Sequence, residues 1–140
     1  MSDSSNSLPP ITKILWGALT MSQVIYGVVA TVVPVDEGTE ADDVFVIALL
    51  IAGLMSLGMA IFGIPKFMKV ASKAEVLTPF IIQWAIVESV AIYGVVGHFM
   101  GASDVFVYGM ICMGIAFMVF LFPTERRAEE FITEKPYSGE

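Results

Sequence analysis

Long apolar stretches separated by short polar segments dominate this chain. Each stretch has the roughly 20 residues that a helix, rising about 1.5 Å per residue, needs to cross about 30 Å of hydrocarbon. The four stretches run approximately over residues 14–33, 44–64, 79–100 and 105–123. The pattern predicts an all-α integral membrane protein with four transmembrane helices. We expect one membrane domain over residues 1–140, with a disordered segment at 1–10 and a polar C-terminal tail at 124–140.

Glycine, proline and acidic residues fill the gaps between stretches. Residues 34–38 (PVDEG) and 101–104 (GASD) have the composition of turns and loops. Short connections of this kind join antiparallel neighbours, so the stretches are expected to form two tandem hairpins. In the tail, residues 124–131 fit either a short interfacial helix or a solvated segment.

The two hairpins repeat one another in sequence. The run IYGVV at residues 25–29 recurs at 92–96, and DVFV at 43–46 recurs at 104–107. This is parallel repetition. We therefore expect the first and third stretches to be equivalent in direction and packing, and the second and fourth likewise. The glycines of the second and fourth favour these two as the tightly packed inner helices.

Composition supports a location in lipid. Hydrophobic residues make up 56% of the chain and charged residues 15%, and the mean hydropathy is +0.80, which is too apolar for the surface of a small soluble protein. The net charge of −7 comes from acidic tails and loops, so no nucleic-acid partner is expected. A single cysteine, Cys112, excludes an intrachain disulfide or cysteine metal site.

The distribution of cations predicts the orientation in the membrane. Lysine and arginine near helix ends stay on the cytoplasmic side, and here all seven flank the same ends of the stretches. They are Lys13, Lys66, Lys69, Lys73, Arg126, Arg127 and Lys135. We expect both termini in the cytoplasm and a location in a bacterial inner membrane.

Glu88 is the residue most out of place, because it is the tenth residue of the third stretch. A charge at that depth costs about 2.5–3.5 kcal/mol even on the lowest scale. No lysine, arginine or histidine lies at the same depth, so neutralisation requires a proton or a bound cation. A permanently protonated glutamic acid that donates one interhelical hydrogen bond is the structural alternative.

Few polar residues share the depth of Glu88. Gln23 is the tenth residue of the first stretch, Ser56 lies at this level on the antiparallel second stretch, and Ser89 follows Glu88. Serine and glutamine also link membrane helices by simple hydrogen bonds, so a structural role stays open for each. The chain has no nucleophile with a base, no metal cluster and no phosphate loop. We therefore expect no catalytic site and no cofactor, with H⁺ or Na⁺ as the ion carried.

Residues 85–96 (AIVESVAIYGVV) closely resemble the ion-binding helix of the c subunit, or proteolipid, of F-type and V-type rotary ATPases. In that family a glutamate precedes Tyr-Gly by five residues, as Glu88 precedes Tyr93 and Gly94. The first stretch is similar to the partner helix of sodium-binding V-type proteolipids, Leu-x-x-Thr-Gln-x-x-Tyr-Gly, and reads LTMSQVIYG at residues 19–27.

The resemblance implies an ion site around Glu88. The Leu19 carbonyl, the Ser22 hydroxyl and the Gln23 amide would be its ligands, with Glu88, Gln23 and Ser22 as the metal ligands if the ion is Na⁺. Ser89 matches a hydroxyl of sodium-type F rings. The site set is completed by two further residues, Ser56 and Tyr93.

Three departures from the family accompany this resemblance. Residues 72–75 (SKAE) replace the usual Arg-Gln-Pro-Glu, and Met55, Ser56 or Met59 stands where sodium rings place an inner glutamine. The order of helices is also circularly shifted.

The resemblance implies a membrane subunit of an ATP synthase or ion-pumping ATPase. Such a subunit forms a homo-oligomeric ring in lipid and meets an a-type stator subunit and rotor stalk subunits. The departures motivate the alternatives, which are a structural membrane ring of the same fold or a small channel.

Overall fold

The computed structural model describes residues 7–35 and 39–133, and within them the chain is all helical without strands. The all-α prediction is confirmed. The helices are α1 (Pro10–Val32), α2 (Asp43–Gly58, extended by a π-helical turn at Met59–Gly63 and by Ile64–Phe67), α3 (Leu77–Phe99), α4 (Asp104–Phe120) and α5 (Glu125–Glu129), with a 3-10 turn at Lys73–Glu75. Three helices, α1 to α3, are long and apolar enough to cross a membrane, and α4 is a shorter apolar helix of the same character.

The helix starts follow local sequence signals. Pro10 opens α1 earlier than predicted, because proline suits the first helical position. The side chains of Asp42 and Ser103 accept the N–H groups of Val44 and Phe106 and so cap α2 and α4. These caps come just before the DVFV repeats, so both copies begin their second helix in the same way.

The N-terminal segment differs from the expectation of disorder where it is described. Residues 1–6 lie outside the described residues, but Leu8 is buried and its N–H donates to Glu125 Oε1 at 3.0 Å. Leu8 and the described residues that follow it are therefore part of the packed structure.

Helix α3 lies at the centre of the bundle and contacts α1, α2 and α4. Within its most apolar window 44% of residues are buried, against 11% for α1 and 17% for α2. The expectation that the first and third helices pack equivalently is therefore wrong for the single chain, and α2 is not among its tightly packed helices. The space around two equivalent glycines shows the same difference in packing. A Cβ at Gly94 would lie 2.8 Å from the Val107 carbonyl oxygen, whereas one at Gly27 would meet nothing closer than 3.8 Å.

Two tryptophan indoles cap the C-terminal end of α4. Trp16 Nε1 donates to the Met118 carbonyl at 2.8 Å, and Trp84 Nε1 donates to the Leu121 carbonyl at 3.1 Å. Pro123 follows closely and has no N–H with which to continue the helix. Two carbonyls at this end of α4 are therefore satisfied by side chains of α1 and α3.

The π-helical turn of α2 depends on a proline and a glutamine. The Ile64 N–H bonds to the Met59 carbonyl, five residues back, rather than to the Ala60 carbonyl of an α-helix. Pro65 has no N–H, so Ala60 loses the donors of both the α and the π pattern. Gln83 Nε2 on α3 donates to this carbonyl at 2.7 Å. The wide turn is thus held by a side chain from the central helix.

The C-terminal segment folds onto the basic end of the bundle. Of the two interpretations of residues 124–131, the structure has a helix, α5, in which Ala128 is buried, and Phe131 just after the helix is buried as well. The Val70 N–H donates to the Phe131 carbonyl at 2.8 Å, and the Thr133 N–H donates back to Val70 at 3.0 Å. Residues 134–140 of the predicted tail lie outside the described residues.

Candidate functional site

Glu88 lies half-buried on α3, facing two hydroxyl groups of α1. Its Oε1 atom accepts a hydrogen bond from Ser22 Oγ at 2.6 Å and another from Tyr26 Oη at 2.9 Å. Ser22 and Tyr26 are four residues apart on one helix, so their side chains share a face. The carboxylate is therefore the acceptor at the centre of an α1–α3 contact.

Ser22 also connects Glu88 to the backbone of α1. Its hydroxyl lies 2.7 Å from the Leu19 carbonyl oxygen as well as 2.6 Å from Glu88 Oε1. A hydroxyl has one proton and can donate to only one of these acceptors. A proton on Glu88 resolves the conflict, because Glu88 then donates to Ser22 while Ser22 donates to Leu19.

Among the described residues, no basic side chain neutralises Glu88. The two ion pairs found there, Lys73–Glu125 and Arg127–Glu130, both lie at the basic end of the bundle. In that part of the chain there is also no group of three or more His, Cys, Asp or Glu side chains that could hold a metal ion. One carboxylate among neutral oxygens matches a single positive charge, so the chemistry fits H⁺ or a monovalent cation.

Gln23 is placed differently from the expectation that it ligates beside Glu88. It is fully buried, and within the described residues neither its Oε1 nor its Nε2 has a hydrogen-bond partner. Its amide points at Gly114 of α4, where an added Cβ would lie 2.7 Å from Oε1 and 3.3 Å from Ala91 Cβ. The amide therefore occupies a space between α1, α3 and α4, with no hydrogen bond to Glu88.

Two of the other expected site residues contact each other instead. Ser89 Oγ donates to the Ile86 carbonyl at 2.6 Å and lies 3.4 Å from Ser56 Oγ on α2. These hydroxyls link α3 to α2, whereas Glu88 faces α1. The third, Tyr93, is partly buried against the main hydrophobic core and forms no side-chain hydrogen bond within the described residues. The structure thus brings Leu19 and Ser22 to Glu88 and leaves Ser56, Ser89 and Tyr93 elsewhere.

Sequence reasoning missed Tyr26. Each IYGVV copy contains one tyrosine, Tyr26 or Tyr93. The family resemblance selects Tyr93, because it lies in the same helix as Glu88. The signal that could have found Tyr26 is its position one helical turn after Ser22. Structural equivalence of the copies is visible in the serines, since Ser22 and Ser89 both bond to the carbonyl three residues earlier. At the position of Glu88 the first copy has Met21.

The arrangement is therefore one carboxylate, two hydroxyls and one carbonyl at mid-helix depth, with an unpartnered amide one residue away on α1. Compared with known proteins, the chain matches no protein-family model, no curated protein and no solved structure.

Proposed function

We propose that this protein is an ion-carrying membrane subunit in which Glu88 reversibly binds one H⁺ or Na⁺. The observation that carries the proposal is the short contact of Glu88 Oε1 with Ser22 Oγ and Tyr26 Oη, with no basic partner for Glu88 among the described residues. Hydroxyl donors can stabilise the ionised carboxylate between two loading events. A lysine partner would hold it ionised permanently.

The cost of placing a charge in lipid determines when the site can face the membrane. An ionised carboxylate in hydrocarbon costs about 2.5–3.5 kcal/mol or more, so the site faces lipid only when it is loaded and neutral. Release requires a polar surface that accepts the ion and solvates the carboxylate. We propose that a stator subunit of the a type supplies this surface and that identical copies of the chain form a closed ring, so that ion flow drives rotation.

The choice between H⁺ and Na⁺ depends on Gln23. With the amide directed at Gly114, the oxygens near Glu88 are those of Leu19, Ser22 and Tyr26, and a proton completes their hydrogen bonds. A sodium ion needs further oxygen ligands, and the Gln23 carbonyl would reach the site only after the side chain turns away from α4. The observed position of the Gln23 side chain therefore favours H⁺. Binding of Na⁺ would require this side chain to change its rotamer.

Carbodiimide labelling tests the proposal directly, because the reagent attacks protonated carboxyl groups that face an apolar phase. The purified full-length protein is treated at pH 6 to 8, with Na⁺ or K⁺ at constant ionic strength, and the peptide containing Glu88 is quantified by mass spectrometry. We expect faster labelling at lower pH. If Na⁺ is the carried ion, sodium slows the reaction and potassium does not.

Three variants control this experiment. Glu88→Gln should abolish labelling, and Ser22→Ala should change its rate. The matched control is Ser89→Ala, which removes a neighbouring hydroxyl that faces Ser56 and should leave the rate unchanged. Labelling at the same rate at every pH and in both salts would identify Glu88 as a permanently protonated interhelical link, and absence of labelling at every pH would contradict an exchangeable carboxyl.

Two further measurements separate the alternatives for the whole protein. Native mass spectrometry of the detergent-solubilised protein should give one closed oligomer for a ring and a monomer for a free-standing bundle. Liposomes containing the protein alone should not leak ions if a stator is needed for release. Leak without partners would favour the small channel.

A further inference from the structure

A cleft at the basic end of the bundle lies between the end of α4 and α5. It measures about 590 Å³ and is lined by Phe120, Thr124, Arg126, Arg127 and Glu130. It opens to the outside of the bundle, where the apolar helices give way to the polar end of the protein.

An apolar groove of about 480 Å³ shares one lining residue with this cleft. The groove runs between α2 and α4, and Phe120 lines both spaces. The other lining residues are Ile61, Phe62, Ala116 and Phe117. Two features of the fold create the groove. Helices α2 and α4 both pack on α3 and touch each other only sparsely, and the π-helical turn carries Ile61 and Phe62 to its wall.

The charges in the cleft are arranged to receive an anion. The Arg127 guanidinium lies over the Phe120 ring, 4.6 Å from its centroid, and is thereby held at the boundary between cleft and groove. Arg126 is exposed and forms no ion pair within the described residues. Glu130 offsets part of the charge, but its Oε2 is 3.8 Å from Arg127 Nη1, a long and partly exposed contact.

We propose that cleft and groove together bind one anionic phospholipid. The phosphate oxygens accept hydrogen bonds from Arg126 and Arg127, whose planar guanidinium groups suit phosphate, and an acyl chain fills the groove beside Phe62 and Ala116. A lipid explains both spaces and their meeting at Phe120. A free phosphate would leave the groove without an occupant. This site is separate from Glu88, which faces α1, and does not depend on the function proposed for it.

Native mass spectrometry of the full-length protein in detergent tests the proposal. Phosphatidylglycerol and phosphatidylcholine with identical acyl chains are compared, and inorganic phosphate is added as a separate competitor. The two arginines attract the anionic headgroup and Glu130 offsets part of that attraction, so we expect retention of phosphatidylglycerol to exceed that of phosphatidylcholine by about tenfold, which corresponds to about 1.4 kcal/mol. Inorganic phosphate should displace little of the lipid.

The variants separate headgroup from acyl-chain contacts. Arg126→Gln, at an exposed position, should lower the preference for phosphatidylglycerol several-fold, and Glu130→Gln should raise it. Ala116→Phe fills the groove without changing charge and should weaken retention of both lipids. The matched control is Lys66→Gln, which removes an exposed cation at the same end that lines neither space. Circular dichroism establishes that each variant keeps its helix content.

Three results would overturn the proposal. Equal retention of the two lipids would remove the headgroup site, and an equal loss in Lys66→Gln and Arg126→Gln would reduce it to general surface charge. Displacement of the lipid by inorganic phosphate alone would show an anion site without a lipid.

Discussion

The Tyr26 hydroxyl lies 2.9 Å from Glu88 Oε1, although the two residues are 62 positions apart in the chain. The contact joins α1 to the middle of α3, since Glu88 is the central residue of the helix Leu77–Phe99. Tyr93 occupies the same position in the second copy of the repeat, yet it packs against the hydrophobic core. The duplication has therefore given one tyrosine a polar partner and the other an apolar one.

This difference predicts unequal effects for the same substitution. Tyr26→Phe removes a hydrogen bond between membrane helices and should lower the free energy of unfolding by about 0.5–1.5 kcal/mol. Tyr93→Phe is the matched control and should change it by less than about 0.5 kcal/mol. Unfolding in detergent followed by circular dichroism measures both. Equal losses in the two variants would contradict a specific bond from Tyr26 to Glu88.

A double-mutant cycle assigns the Tyr26 effect to its partner. In a Glu88→Leu background the acceptor is absent, so Tyr26→Phe should cost little more. An undiminished cost in that background would place the tyrosine hydroxyl with another acceptor.

Three residues of the site could be predicted from the sequence. Glu88 stands out by its depth, and Leu19 and Ser22 follow from the resemblance to a known ion site and lie within one turn of α1. The resemblance also predicts Gln23 as a ligand of the ion. Its side-chain direction, however, depends on the space beside Gly114 on α4. No pattern along α1 reports that space.

The central position of α3 was inaccessible for a related reason. The sequence repeat equates the first and third helices, and the glycines of both copies look alike. Only packing distinguishes the two glycines. An added Cβ would be too close to Val107 at Gly94, whereas at Gly27 it would make an ordinary van der Waals contact. The depth and periodicity of residues can be read from one helix, whereas the burial of that helix depends on how its neighbours pack against it.

The π-helical turn predicts a conditional effect of Gln83. Gln83→Leu leaves the Ala60 carbonyl without its donor in an apolar interior and should cost about 1–3 kcal/mol in unfolding free energy. Pro65→Ala restores an N–H that can reach this carbonyl, so the double variant should recover part of the loss. Chemical unfolding of the three variants measures this recovery. Additive losses would show that Gln83 stabilises the structure by packing alone.

The buried amide of Gln23 predicts a gain in stability at the expense of function. Gln23→Leu replaces a buried amide that has no hydrogen-bond partner among the described residues by an apolar side chain of similar volume. The free energy of unfolding should therefore rise by about 1–2 kcal/mol. If Gln23 turns to ligate Na⁺, the same variant should lose any protection of Glu88 by sodium. Thermal unfolding and carbodiimide labelling of one sample provide the two measurements. A loss of stability would mean that the amide has a partner, such as a buried water.

Gly114→Ala tests the space around that amide. The added Cβ would lie 2.7 Å from Gln23 Oε1, so this variant should be destabilised by about 1–3 kcal/mol. Shortening the side chain in a Gln23→Ala, Gly114→Ala double variant should relieve the clash. The matched control is Gly109→Ala on the same helix, where a Cβ would meet nothing within 4 Å. Its effect should be neutral or slightly stabilising.

Glu125 predicts a pH-dependent stability at the basic end. The Leu8 N–H at 3.0 Å and then the Lys73 ammonium at 3.1 Å hold the pKa of Glu125 below its ordinary value of 4.5. A lowered pKa in the folded state means that the stabilisation is fully present above pH 4.5 and is lost as the pH falls through the folded value. Glu125→Gln should therefore lower the Tm at pH 7, and the difference from the parent protein should shrink as the pH is lowered below 4.5. The matched control is Glu129→Gln, an exposed carboxylate of α5 without an ion pair in the described residues, which should leave the Tm unchanged throughout. A loss of Tm of the same size at neutral and at low pH would show that ionisation of Glu125 contributes nothing to stability.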